Sequence, residues 1–128
     1  MDTTESRIET GRRIRTEVLG AEHVARSVGT ADEFSMPMQE LVMEYCWGEV
    51  WARPGLDRRS RSLLNLGMLV ALGKTHELAV HVRGALNNGL SPEEIREALM
   101  QTAIYCGVPA ALEAFRVAKS VLDERKTQ

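Results

Sequence analysis

His81 lies in Glu77-Leu78-Ala79-Val80-His81-Val82-Arg83, among apolar residues on a stretch with helical spacing. An imidazole in such surroundings exchanges protons near pH 7, the property general acid–base catalysis needs. The plainer reading is a core histidine satisfied by one hydrogen bond. Glu49 stands in Tyr45-Cys46-Trp47-Gly48-Glu49-Val50-Trp51, a carboxylate flanked by two tryptophans and a glycine. Desolvation by Trp47 and Trp51 would raise its pKa and suit it as an acid or as a partner for His81. The competing reading is a partly exposed carboxylate paired with a nearby arginine. Arg53, Arg58, Arg59 and Arg61 cluster about Pro54-Gly55 and the helix start that follows. Anions are favoured at helix N-termini, and guanidinium forks bind carboxylates through two parallel bonds. A solvated basic face is the commoner explanation of four such charges, but Trp51 supplies an apolar wall beside them.

Other chemistries lack their residues. Cys46 and Cys106 are sixty positions apart with no Cys-x-x-Cys partner, so they read as small buried hydrophobes rather than a redox pair. His23 and His76 have no metal-ligand spacing, and no metal is expected. Gly84, Gly89 and Gly107 occur singly, so no phosphate-cradling loop is present.

The elements that must position these residues are helical almost throughout, since no segment alternates with period two. Ile8, Ile14 and Val18 predict a helix over 5–19, stopped before Gly20. A short helix or turn at 23–29 precedes a helix from Ser35 to about Ala52, which Pro54-Gly55 breaks. Asp57 reads as the cap of a helix continuing to about Gly73. Another runs from Glu77 to Asn88 and is closed by Asn88-Gly89. Ser91-Pro92-Glu93-Glu94 is the strongest local signal: a Ser N-cap, Pro in the first turn, and Glu at N3 completing a capping box. That helix ends at Gly107-Val108-Pro109, and Pro109 opens the last, to about Glu124. The expectation is an all-α single domain over 1–128, a helical bundle of about six or seven helices with short tails at 1–6 and 125–128.

The longest apolar stretch, Leu63 to Leu72, is interrupted by Asn65 and is too short to span a bilayer. Its helix is apolar on nearly every side. A helix of that kind needs partners all round, and a small domain can hardly surround it. Burial by a neighbouring subunit is therefore expected, against the alternative of a central helix within a monomer. The 128 residues, 44% hydrophobic and 27% charged, suffice for a core without disulfides or metals. Sixteen Lys and Arg against eighteen Asp and Glu leave a net charge of −2, which argues against a dedicated nucleic-acid binder. The bases are nearly all arginine, the better fork for carboxylates. The opening residues carry no apolar export segment, so a soluble cytoplasmic protein is expected, bound to neither nucleic acid nor membrane.

Three stretches together resemble the carboxymuconolactone decarboxylase family: EYCWGEVWARPGLDRRSRSLLNLGMLVALG, HELAVHVRGALNNGLSPEEIREALMQTAIYCGVPAA and the lead-in GRRIRTEVLGAEHVARSV. WGE-x-W-x-RPGLD-RR is specific to the decarboxylase branch. The resemblance implies an alkylhydroperoxidase D-like helical fold assembled as homotrimers or homohexamers. Redox members of that superfamily carry a Glu ahead of Cys-x-x-Cys, with a His four residues after the second Cys. Setting that His on His81 puts Lys74 and Glu77 at the cysteine positions and Ser62 near the Glu, so thiol peroxidase activity is disfavoured. The chain departs from the family's usual residues at Cys46 and Cys106, where Ala is common. It departs again at Leu112-Glu113, where Asn-His is common, and this bears on the substrate.

The activity so implied is cofactor-free decarboxylation of 4-carboxymuconolactone, a dicarboxylate lactone, to the 3-oxoadipate enol-lactone of protocatechuate breakdown. Alternatives are a related lyase or isomerase on another lactone or enol substrate, or a non-catalytic helical oligomer. The lactone carbonyl, linked through the ring double bond to the ring carbon that bears the departing carboxylate, takes up the electrons that CO₂ leaves, so no cofactor sink is required. Arg53, Arg58 and Arg59 are the expected anchors for the substrate, with His81 as proton donor. Glu49 would orient His81 or share its proton, and Trp47 or Trp51 would exclude water.

Overall fold

The computed structural model describes residues 3–127 and forms two compact units, Met1–Asp57 and Arg58–Gln128. Among the described residues there are seven α-helices, one π-helical segment and no strand, as the periodicity predicts.

The first unit holds α1 (Thr4–Leu19), α2 (Ala21–Gly29), α3 (Met36–Leu41) and the π-helical segment Val42–Val50. Thr3 caps α1 by accepting from the Ser6 backbone N–H at 3.1 Å. Gly20 ends the helix at φ 94°, a conformation costly for any residue with a Cβ. Of the tails expected at 1–6 and 125–128, residues 1, 2 and 128 lie outside the described residues. Residues 4–6 already belong to α1, and 125–126 to α7.

The single helix expected over 35–52 is instead a short α-helix that widens into a π-helix. Its last turn closes from the Trp51 N–H to the Cys46 carbonyl at 2.9 Å, five residues back. Two glycines let this segment lie directly on α1. A Cβ on Gly48 would collide with the Arg7 carbonyl, and one on Gly11 with that of Met43. Near that contact Glu44, which is buried, accepts from Arg7 at 2.9 Å. The same bond raises the Arg7 pKa further above its already high value.

The second unit is built from α4 (Arg58–Leu72), α5 (Thr75–Asn87), α6 (Pro92–Tyr105) and α7 (Val108–Lys126). Leu66 and Val70 of α4, Leu78, Val82 and Ala85 of α5, Ile95 and Leu99 of α6, and Ala114, Ala118 and Val121 of α7 make one core. Each large aliphatic side chain buried there contributes about 1.5–3 kcal/mol. Gly73 at φ 70° turns the chain between α4 and α5. The capping box is present as read: Ser91 Oγ accepts from the Glu94 N–H and Glu94 from the Ser91 N–H, both at 3.0 Å. Gly107 at φ 101° separates α6 from α7, which opens at Val108 with Pro109 in its first turn.

The apolar helix at 58–72 is not surrounded, in line with the expectation and against the alternative of a central helix within a monomer. Ser62, Leu66 and Val70, at four-residue spacing, are buried, whereas Leu64, Met68 and Leu72 are exposed. Three helices, α5, α6 and α7, bury one stripe of α4 and leave the opposite stripe at the surface.

Candidate active site

Within the first unit, the π-helical segment brings Trp47 and Trp51 together. Their rings stack with centroids 4.7 Å apart and planes at 26°, and both are buried. Glu49 faces elsewhere. Its side chain is 51% exposed, and its carboxylate lies 3.9 Å from the Arg53 guanidinium, one helical turn on. The expected desolvation of Glu49 by the two rings is therefore corrected. Positions 47 and 51 share a face, and 49 falls between them on another. Arg53 is more open still, so the pair is a surface ion pair of small energetic weight.

Cys46 keeps much of its surface open rather than being the buried hydrophobe expected. The protein packed around its sulfur nevertheless pushes the thiol pKa up, and Arg15 only partly opposes this. A raised pKa lowers the thiolate fraction and with it the nucleophilicity a redox role would need.

Within the second unit, α4 and α5 share a polar seam through their apolar packing. His81 on α5 is half-buried, and its Nδ1 lies 3.3 Å from Asn65 Nδ2 on α4. Further along, Asn88 Nδ2 donates to Ser62 Oγ at 2.8 Å and to the Arg58 carbonyl at 3.3 Å. Ser62, Asn65 and Arg58 recur at three- and four-residue spacing on α4, and His81 and Asn88 are seven apart, two turns of one face. His81 is thus neither solvent-exposed nor sealed in hydrocarbon, but seated against an amide. Sequence reasoning did not assign Asn65 a role; its signal was the lone amide inside the apolar run from Leu63 to Leu72.

The arginines divide. Arg59 is engaged structurally, donating to Glu94 and to the Gly89 carbonyl, which ties the start of α4 to the start of α6. Arg58 and Arg61 are half-buried on the first two turns of α4. The four charges are therefore not one equivalent cluster. Among the described residues, no three His, Cys, Asp or Glu side chains gather as a metal site would require.

A groove of about 780 Å³ also lies in this unit. Leu64, Met68 and Ala71 of α4 face Ala98, Gln101 and Tyr105 of α6 across it.

Residues 37–120 match the carboxymuconolactone decarboxylase family. The chain belongs to that family. It is 46% identical over 114 residues to the nitrosuccinic acid decarboxylase of Metarhizium robertsii, covering 89% of this chain and 80% of that one. It is 40% identical over 120 residues to the 4-carboxymuconolactone decarboxylase of Acinetobacter baylyi, covering 94% and 90%. Both relatives are decarboxylases, and this family member is a carboxy-lyase by class. No described helix is long and apolar enough to cross a membrane.

Proposed function

We propose that this protein decarboxylates a small diacid whose departing carboxylate sits on a carbon from which the electron pair can pass into an acceptor, with 4-carboxymuconolactone as the substrate and the 3-oxoadipate enol-lactone as the product. The observation that carries the reading is the 40% identity, over 94% of the chain, to a protein named for that reaction. The 46% identity to a nitrosuccinic acid decarboxylase supports a second substrate, 2-nitrosuccinate. The two molecules pose one chemical problem. Each is a diacid, and in each the electron pair left by CO₂ passes into an acceptor, the lactone carbonyl in one and the nitro group in the other. Neither needs a cofactor to store that pair.

In this reading the protein anchors the retained carboxylate, steadies the charge arriving on the acceptor and protonates the carbon that lost CO₂. His81 is the proton donor. Arg58, half-buried in the first turn of α4, anchors a carboxylate, and Arg59, paired with Glu94, stabilises the unit. Too tight a hold on the departing carboxylate would oppose reaction, because only contacts that strengthen in the transition state speed it. The roles of Glu49, Arg53, Trp47 and Trp51 in the first unit are assigned for test by substitution. The exposed Leu64, Met68 and Leu72 of α4, with Ile104 and Tyr105 of α6, support a homo-oligomer, trimer or hexamer.

The deciding experiment offers 4-carboxymuconolactone and 2-nitrosuccinate in parallel and follows CO₂ release. Release from the lactone supports the first reading, and release from nitrosuccinate alone supports the second. Release from neither overturns both.

A further inference from the structure

We propose that the face of α4 bearing Asn65 packs, head to tail, on the face of α6 bearing Glu97 in a second copy of this chain, so that His81 lies at a subunit boundary and Glu97 of the partner subunit joins it there. This deepens the reading above and rests on it for the catalytic role of His81. Arg61, Asn65, Met68 and Leu72 recur at i, i+4, i+7 and i+11, which is one face of α4. Glu93, Glu97, Met100 and Ile104 repeat that spacing on α6, and all four are exposed. Each face is charged or polar over its first turns and apolar over its last, where Leu72 is 68% exposed and Ile104 80%. The leading charge is a base on α4 and an acid on α6.

The two faces match in direction as well as in spacing. Arg59 pairs with Glu94 at the start of both helices, and the helices then line one groove, so they run side by side the same way. A rotation about an axis along them sets like levels of two copies together: Arg61 against Glu93, Asn65 against Glu97, Met68 against Met100, and Leu72 against Ile104. Opposite charges then meet, and the apolar side chains leave water. Because one face meets a different face, each copy keeps its second face for the next, and the contact propagates into a ring. Laid against itself, the α4 face would set Arg61 on Arg61 or on Leu72, and neither pairing is favourable.

The consequence for the site follows from Asn65, whose amide lies 3.3 Å from His81 Nδ1. A helix seated on Asn65 and Met68 walls the half-buried imidazole off from bulk water. At the level of Asn65 that helix presents Glu97. Within its own copy Glu97 reaches the adjacent Arg96 at 3.2 Å, an exposed pair of small weight that a better partner displaces. A carboxylate beside an imidazole favours the charged, proton-carrying ring, the form from which a carbon is protonated.

The test begins with mass. Light scattering should give the wild type as a multiple of the 14.3 kDa chain. Leu72→Glu and Ile104→Glu each spoil one face and should run as monomers of native helicity, with Met68→Glu and Met100→Glu standing in for either that misfolds. Mixed one to one, the two monomers keep one intact pair of faces between them and should form a two-chain species. His81 should react with diethyl pyrocarbonate several-fold faster in the Leu72→Glu monomer than in the wild type, read by mass spectrometry. Glu97→Gln should retain the assembly and lower kcat by roughly tenfold with KM little changed, as a one-unit fall in the imidazole pKa would. Turnover is measured on 4-carboxymuconolactone and 2-nitrosuccinate, using whichever reacts faster. A monomeric wild type, a mixture that stays monomeric, or equal His81 reactivity overturns the inference, and full kcat in Glu97→Gln overturns the part given to Glu97. Release of CO₂ from neither substrate overturns the functional reading instead, while mass and His81 reactivity, read without substrate, still decide the contact between copies.

Discussion

Asn88 Nδ2 sits 2.8 Å from the hydroxyl of Ser62, a side chain with no solvent exposure, and the bond joins the end of α5 to the second turn of α4. A buried hydroxyl without its partner costs more than the bond contributes, because the group loses water and receives nothing in return. Asn88→Ala is therefore expected to destabilise the protein by about 1–3 kcal/mol. Ser62→Ala should cost less, and adding it to Asn88→Ala should recover part of the loss, giving a coupling readable in a double-mutant cycle by urea unfolding. Strict additivity of the two substitutions would show that the bond does not hold the helices.

Gly48→Ala should disrupt the first unit. The added methyl would collide with the Arg7 carbonyl, which is backbone and cannot rotate away. A loss of about 1–3 kcal/mol or more is expected from such overpacking. Gly29→Ala is the control, since nothing lies within 4 Å of a Cβ placed there. Thermal melts of the two variants that coincide would contradict the close packing of α1 on the π-helical segment.

Glu94 gives acid stability a defined sign. The Ser91 backbone N–H, and secondarily Arg59, hold its pKa below the ordinary glutamate value. A carboxyl whose folded pKa is depressed stabilises the fold above its unfolded pKa, and that contribution is lost as pH falls through the folded value. Glu94→Gln should therefore weaken the protein at neutral pH and flatten the acid side of its stability curve. Urea midpoints across the range where carboxylates titrate would show it. An acid limb as steep as that of the wild type would remove Glu94 from the account.

The catalytic assignments separate by kinetics. His81→Ala should reduce turnover by about 10²–10⁴-fold, the usual share of general acid catalysis, with helicity unchanged by circular dichroism. Arg58→Ala should chiefly raise KM, as expected for a contact made equally to substrate and transition state. Glu49→Gln is expected to lower turnover; an unchanged rate would leave Glu49 as the surface partner of Arg53 alone.

Replacing Cys46 and Cys106 together with Ala should leave decarboxylation intact. The raised thiol pKa of Cys46 argues against a reactive thiolate, and neither cysteine has the vicinal partner that dithiol chemistry uses. Loss of CO₂ release in a folded double variant would bring sulfur chemistry back.

Local signals sufficed wherever a feature depends on residues a few positions apart. The capping box at Ser91 and Glu94 and the stops at Gly20, Gly89 and Gly107 follow from backbone sterics and orphan N–H groups, which neighbours along the chain satisfy or fail to satisfy. The WGE-x-W-x-RPGLD-RR stretch carries the resemblance to the family in thirteen contiguous residues.

Packing between distant segments decided the rest. Whether Trp47 and Trp51 cover Glu49 depends on which faces they occupy, and the widened helix sends the carboxylate outward to Arg53. Whether Arg59 is an anchor depends on Glu94, thirty-five residues away. The significance of Asn65, a single polar break in an apolar run, appears only when α5 folds back and sets His81 against it. A hydrogen bond between helices is a property of their register, and register is fixed by side chains that meet only in the folded chain.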